Sequence, residues 1–304
     1  MRPRARLIYN PSAGKEALLN SVPHILDYLE QGGLEVSTSM THGPNDGITA
    51  ARQACEEGFE LVIAAGGDGT INEVINGLSQ MEHRPTLGIL PGGTTNDLAR
   101  ALHLPRDLRS ACEIILSGNQ MPLDVGQVGD GYFINIAGCG RLTEITYEVP
   151  SKLKTHLGQL AYYMKGLEKL PFLKPIQLDI ESPDFAYEGK AMLCLIANSN
   201  SIGGFEKLAP NASLHDGVFD VIIVKPCKMP ELIRLATLAL RGEHLNSDRV
   251  IYFHTDRLHV KSSELVELNL DGEYGGPLPQ EFRCLKHHLN VLVGKQELEH
   301  YRES

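Results

Sequence analysis

Three times in its first hundred residues the chain runs a short apolar strand into a turn of small residues and then into an amphipathic helix. Arg6-Leu7-Ile8-Tyr9 leads into Asn10-Pro11-Ser12-Ala13-Gly14-Lys15. Leu61–Ala65 leads into Gly66-Gly67-Asp68-Gly69-Thr70-Ile71-Asn72-Glu73, and Thr86–Leu90 leads into Pro91-Gly92-Gly93-Thr94-Thr95-Asn96-Asp97. Helical spacing follows each turn, most clearly in Leu18, Val22, Ile25, Leu26 and Leu29, and in Ile71, Val74, Ile75 and Leu78. Leu98, Ala101 and Leu102 open a further helix, while Leu34–Met40 alternates as a strand and Ile48–Glu57 returns to helix. Such alternation predicts right-handed crossovers and a mostly parallel sheet with helices on both faces. Turns that follow the strands of one parallel sheet all lie on its carboxyl edge, where ligands of such sheets bind.

The composition of these turns narrows the ligand. Glycine lets the backbone approach closely, and the start of a helix presents unpaired N–H groups to an anion. A tight turn capped by Asp68 or Thr70 is the plainer reading of any one of them. Three on one edge point to a polyphosphate site. It is not a P-loop, because Gly-Lys-Ser/Thr is absent, nor GxGxxG, because Asn72 stands where the third glycine belongs.

From about Met121 the rhythm changes. Leu123–Val128, Tyr132–Ile136, Ile176–Ile180, Met192–Ala197, Val218–Val224, Leu258–Val260 and Leu265–Leu270 read as short strands, with helical stretches only near 152–170 and 229–241. The expected organisation is an α/β nucleotide-binding domain over 1–122, an antiparallel β-rich domain over 123–288, and a C-terminal segment, 289–304. Val291–Tyr301 is expected to be a helix packing back on the first domain. With 304 residues and a net charge of −10, indiscriminate nucleic-acid binding is excluded, since phosphate contacts need clustered positive charge. No run reaches the ~20 apolar residues of a membrane helix, and the apolar stretch after the basic N-terminus is too short for a signal peptide. The six cysteines form no CxxC pair and show no metal-ligand spacing with the twelve histidines, as expected of thiols in a reducing cytoplasm.

The three turns, in that order, resemble the diacylglycerol kinase catalytic-domain family, which includes soluble bacterial diacylglycerol kinases, sphingosine kinases and ceramide kinases. The likeness continues through Leu123-Asp124-Val125-Gly126, Gly203-Gly204, Ala209-Pro210, Asp216-Gly217 and Leu270-Asp271-Gly272-Glu273. The resemblance implies an N-terminal nucleotide-binding domain, a C-terminal β-sandwich and an active site between them. It implies that ATP lies on Gly66, Gly67, Asp68, Gly69, Thr70, Ile71 and Asn72, with Asn10, Pro11, Ser12, Ala13, Gly14, Thr41 and Thr95 completing its site. By this likeness the reaction carries the γ-phosphate of ATP to diacylglycerol and yields phosphatidic acid. Another lipid alcohol, such as a sphingoid base or polyprenol, an NAD kinase sharing Gly-Gly-Asp-Gly-Thr, and a noncatalytic lipid-binding member of the fold are the alternatives.

Phosphoryl transfer asks a protein to position groups, neutralise charge and orient the attacking hydroxyl. Asp68, Asp97 and Asp124 lie where phosphates are expected, and carboxylates beside phosphates call for a cation, Mg²⁺, between them. Asp271-Gly272 reads as a hairpin turn by itself. The family's Asp-Gly-Glu motif instead implies that Asp271 or Glu273 is the general base, and the choice stays open. Ser213, Asp216 and the carbonyl of Val218 are implied as holders of a second, structural Mg²⁺, with a plain turn as the rival reading. The substrate sits in a bilayer, and Ser151–Pro175 carries five lysines against one glutamate, interleaved with leucines and tyrosines. Lys152, Lys154, Lys165 and Lys169 are thus expected to touch an anionic membrane surface, the rival being a helix packed on the β-domain. The expected location is cytoplasmic, with transient visits to the inner face of the membrane. An exposed edge of the β-domain offers a route to a homodimer.

Overall fold

The structure, a computed structural model, describes residues 2–14, 17–140, 174–203 and 207–303. Lys152, Lys154, Lys165 and Lys169, and the helix expected near 152–170, lie outside the described residues. The chain divides into two compact units, Met1–Asp124 with His287–Ser304, and Val125–Lys286.

The first unit follows the alternation of its sequence: β1 (Arg4–Tyr9), α1 (Ala17–Gln31), β2 (Glu35–Met40), α2 (Asp46–Glu56), β3 (Leu61–Gly66), α3 (Asp68–Ser79), β4 (Thr86–Pro91), α4 (Asp97–Ala101) and α5 (Leu108–Ser117). The strands run parallel in the order β2-β1-β3-β4. Period-two alternation sends Leu7, Ile63 and Leu90 into a core shared with Leu18, Ile25 and Leu29 of α1 and Cys112 and Ile115 of α5. Ile8, Val62 and Ala64 are equally buried on the other face, the side of α2 and α3. A strand with both faces covered must be apolar throughout, and every residue of β3 is buried.

The second unit carries β5 (Gln120–Val128), which enters it from the first, then β6 (Gly131–Phe133), β7 (Ile136–Cys139), β8 (Ile176–Glu181), β9 (Ala186–Ala191), β10 (Leu193–Ala197) and β11 (Phe219–Val224). These are followed by α6 (Met229–Ala239), a short 3₁₀ turn over His244–Asn246, β12 (Val250–Thr255), β13 (Arg257–Lys261), β14 (Glu267–Leu270), β15 (Glu273–Pro277) and β16 (Gln280–Leu292). One antiparallel sheet has the order β12-β11-β10-β7-β14-β15. In the other, β8 pairs β9 and β13, and β13 pairs the start of β16. Inward residues of both sheets, among them Leu178, Ile196, Phe219, Val221, Val260 and Phe282, form one core, and Phe133 stacks on Phe219 at 5.4 Å. The alternate residues Leu195, Ile222 and Val224 pack instead with Leu235 of α6.

Two expectations need correcting. The single strand expected over Tyr132–Ile136 is broken into β6 and β7, because the N–H groups of Ile134, Asn135 and Ile136 turn to a side chain, Asp271, rather than to a neighbouring strand. The helix expected over Val291–Tyr301 starts only at α7 (Lys295–Glu303), for Val291 is still in β16 and pairs parallel with Leu87 of β4. The chain therefore returns to the first unit first as a strand. Glu297 of α7 then reaches His103 Nδ1 at 2.7 Å.

Candidate functional site

The three small-residue turns do converge. Gly92 donates its N–H to the carbonyl of Gly66 at 2.7 Å, and Asn10 donates to the carbonyl of Ala65 at 3.1 Å. A side chain at Gly92 would stand 3.4 Å from Gly66 Cα and 3.5 Å from Ala13 Cβ, so residues of all three turns meet there. At Gly93 a Cβ would come within 2.6 Å of Gly67 Cα, a backbone atom that cannot step aside. The twelve-residue helix α3 begins at this point, with Gly67 as an extended N-cap and no side chain capping it. Its first N–H groups therefore lack helical partners and face the turn edge, an arrangement suited to phosphate. A cavity of about 210 Å³ opens beside it, lined by Gly14, Leu18, Pro91, Gly93, Asn96 and Arg106.

Polar side chains hold the turns in shape. Asp68 Oδ2 accepts the N–H of Asn96 at 2.9 Å and Oδ1 that of Asp97 at 2.6 Å, which ties the second turn to the third. Asn10 Oδ1 accepts from the Ser12 N–H and hydroxyl. Thr41, buried at the end of β2, donates its N–H to the Tyr9 carbonyl at 2.9 Å, so it sits on the same strand edge as Asn10. Ser12, Gly14 and Gly69 are exposed and Thr95 is half-buried, whereas Thr70 and Ile71 are buried, leaving Ile71 only its backbone to offer a ligand.

Two residues that sequence reasoning did not assign are central to this framework. Asn96, left-handed at φ 54°, accepts the Gly93 N–H and donates to the Gly93 carbonyl, both at 2.9 Å. Glu73 on α3 accepts the N–H groups of Asn45 and Gly47 at 3.0 and 2.9 Å and so anchors the loop after Thr41. In the same loop, the N–H groups of His42 and Gly43 hold the Asp46 carboxyl below its usual range. Both stand within the small-residue turn motifs, but nothing local marks the role of Glu73, because its partners are 28 and 26 residues away.

The acidic residues divide by environment. Asp68 is half-buried and Asp97 mostly buried beside it. Asp124 is fully buried, with Oδ1 accepting the His287 N–H at 2.6 Å, and offers no solvent-facing oxygen. Ser213 and Val218 are half-buried and Asp216 is exposed. Asp216 Oδ1 accepts the Val218 N–H at 3.1 Å, as in a two-residue side-chain turn, and the Asp216 carbonyl accepts from Lys286 Nζ. No group of three or more His, Cys, Asp or Glu able to hold a metal occurs among the described residues. Magnesium asks for less, usually one or two carboxylates plus phosphate oxygens, and the all-oxygen set of Asp68 and Asp97 suits a hard cation of that kind.

In the second unit Asp271 and Glu273 differ sharply. Asp271 is left-handed at φ 50°, and its carboxylate accepts three backbone N–H groups, from Ile134 at 2.6 Å, Asn135 at 2.9 Å and Ile136 at 2.8 Å. It is the pin that holds the β6–β7 break. Glu273 starts β15 at the edge of its sheet, with its side chain exposed.

A parallel α/β unit with three phosphate-suited turns on one edge, followed by an antiparallel sandwich bearing an acidic loop, defines the chain as a two-unit phosphotransferase. Known proteins agree along nearly all of its length. The diacylglycerol kinase catalytic domain matches residues 4–128, and the YegS C-terminal NAD kinase beta sandwich-like domain matches residues 144–293. A diacylglycerol kinase of Bacillus subtilis (strain 168) is 53% identical over 97% of this chain and 98% of its own length. One from Staphylococcus aureus (strain Newman) is 45% identical over 96% and 93%. A solved structure of a diacylglycerol kinase from Bacillus anthracis str. Sterne superposes with a TM-score of 0.82 at 26% identity, covering 97% of this chain and 98% of that one. The chain belongs to the diacylglycerol kinase family.

Proposed function

We propose that this chain transfers the γ-phosphate of ATP to the free hydroxyl of diacylglycerol, giving phosphatidic acid and ADP. The observation that carries the reading is the meeting of the three turns at the N-terminus of α3, in a chain that matches a diacylglycerol kinase at 53% identity over 97% of its length. The phosphates rest on the N–H groups of residues 66–72, with Asn10–Gly14, Thr41 and Thr95 around the rest of the nucleotide. Asp68 and Asp97 are the residues that would hold Mg²⁺, which when bound would supply positive charge to offset that of the phosphates. Asp124 serves as buried support, and Ser213, Asp216 and Val218 are proposed for a second, structural ion.

Glu273 is the base in this reading. Its exposed carboxylate takes the hydroxyl proton as the oxygen bonds to the γ-phosphorus and the bond from that phosphorus to ADP breaks. Asp271, whose oxygens already accept three N–H groups, would have to weaken those bonds to do so. It is a positioning residue for the loop that carries Glu273.

The first unit is taken to handle nucleotide and the second lipid, with Lys152, Lys154, Lys165 and Lys169 at the membrane. Among the described residues no helix is long and apolar enough to cross a membrane. The proposed setting is the cytoplasm, with transient contact at the inner membrane face. Pairing of two copies through a sheet edge is testable by sedimentation velocity. The deciding experiment offers labelled ATP with diacylglycerol, sphingosine, a polyprenol and NAD. Label in phosphatidic acid is the expected result. Label in NADP alone would overturn the reading.

A further inference from the structure

Asn198 is the first polar residue after the five apolar residues of β10, and it is fully buried. A buried amide is tolerated where it finds hydrogen-bond partners. The β10–β7 ladder ends with Ala197 opposite Ile136, and Asn198 takes hold of the two residues before that point. Its backbone N–H donates to the Asn135 carbonyl at 2.8 Å and its Nδ2 to the Ile134 carbonyl at 2.9 Å. Ser199, also fully buried, donates its N–H to the same Asn135 carbonyl at 3.2 Å, and its hydroxyl lies 3.0 Å from Asn135 Oδ1. On the other side of the strip Ile134–Ile136 stands Asp271. Its carboxylate accepts the three N–H groups of the strip, and its own N–H donates to the Ile136 carbonyl at 2.9 Å. The strip is thus gripped from both sides, by Asn198 and Ser199 on its carbonyls and by Asp271 chiefly on its N–H groups.

We propose that Asn198 is a positioning residue for phosphoryl transfer, one that fixes the strip Ile134–Ile136 and, through it, the Asp271 loop that carries Glu273. The chain of contacts is short. Asn198 bonds the strip, and the strip bonds Asp271. Asp271 and Gly272, left-handed at φ 50° and 96°, then form the two-residue turn from which Glu273 leaves on β15. Left-handed backbone at both central residues is the tight hairpin geometry, which sets the direction of the strand that follows. A general base works within about 2.6–3.2 Å of the proton it takes, so its loop must be held to a fraction of that distance. Releasing the Ile134 carbonyl frees the strip, and with it the anchor of the turn. The proposal rests on the reading of Glu273 as the base of a diacylglycerol kinase.

The test is a double-mutant cycle on diacylglycerol turnover by the full chain with labelled ATP, each variant assayed well below its own Tm. Asn198→Ala should lower kcat roughly 10- to 100-fold and leave the KM for ATP unchanged. In the Glu273→Gln background the same change should cost less than about twofold, because a base that is absent cannot be misplaced. If Asn198→Ala fails to fold by circular dichroism, Ser199→Ala removes only the hydroxyl beside Asn135. It should lower kcat roughly threefold, again only while Glu273 is present. Equal losses in the two backgrounds, or an unchanged kcat, overturn the proposal and leave the kinase reading standing. A Glu273→Gln chain as fast as wild type overturns the choice of base and this proposal with it. A wild-type chain that leaves diacylglycerol unlabelled overturns the kinase reading itself, and the proposal falls with that reading.

Discussion

Replacing Asp271 with Asn separates the two acids of the Asp-Gly-Glu loop. Asparagine tolerates the left-handed backbone at φ 50°, so the change removes charge without forcing the turn. Its amide oxygen keeps the N–H groups of Asn135 and Ile136, now as neutral bonds, while its NH₂ faces the Ile134 N–H that Oδ2 accepted at 2.6 Å. A hydrogen bond to a charged acceptor contributes ~1.5–3 kcal/mol and a neutral one about 1. Losing one and weakening two costs roughly 3–5 kcal/mol. For a domain of this size that lowers Tm by roughly 10 °C in differential scanning calorimetry. Glu273→Gln, at an exposed position, should leave Tm within ~2 °C and lower turnover of diacylglycerol roughly 10²- to 10⁴-fold. A Tm unchanged in Asp271→Asn, with turnover abolished there and preserved in Glu273→Gln, would refute the reasoning and make Asp271 the base.

Three further outcomes are expected. Gly93→Ala, whose methyl would sit 2.6 Å from Gly67 Cα, should prise the second and third turns apart and weaken ATP binding at least about tenfold in isothermal titration; unchanged affinity would mean the turns are not the phosphate site. Gly126→Ala places a methyl 2.2 Å from the ring of the fully buried Phe133 and should cost ~1–3 kcal/mol in urea unfolding. Burial pushes the His244 and His288 pKa values below the ordinary 6.5, and Arg84 pushes His288 further down. Both rings resist protonation when folded and accept it freely when unfolded. Their contribution is therefore complete above pH 6.5 and is lost as pH falls below it. Tm should decline between pH 7.5 and 5.5, and less steeply in His288→Gln; a slope identical to wild type would assign the effect elsewhere.

The alternation of strand and helix over residues 4–117, and the three turns that close its strands, were legible in order because each is local. Period two and period 3.6 are written in neighbouring residues, and glycine marks a turn wherever it stands. Local reading also located Asp271 and Glu273, but not the difference between them. That difference comes from contacts 135 to 137 residues away in the chain, which pin Asp271 to the backbone at Ile134–Ile136 and end β6 early. The polar edge strand β9 and strand β12 escaped the sequence for a related reason, since a strand is stabilised by partners that often lie far along the chain. Glu73 is a similar case, and so is the start of the helix expected over Val291–Tyr301, where pairing of Val291 with Leu87 keeps the chain in β16 and the helix begins only at Lys295. By itself, then, the sequence determined the fold class and the order of the three small-residue turns, and it located the acids proposed for the reaction. Only tertiary structure decided which acids are held by backbone N–H groups and which are exposed to act, because long-range hydrogen bonding and burial leave no pattern in neighbouring residues.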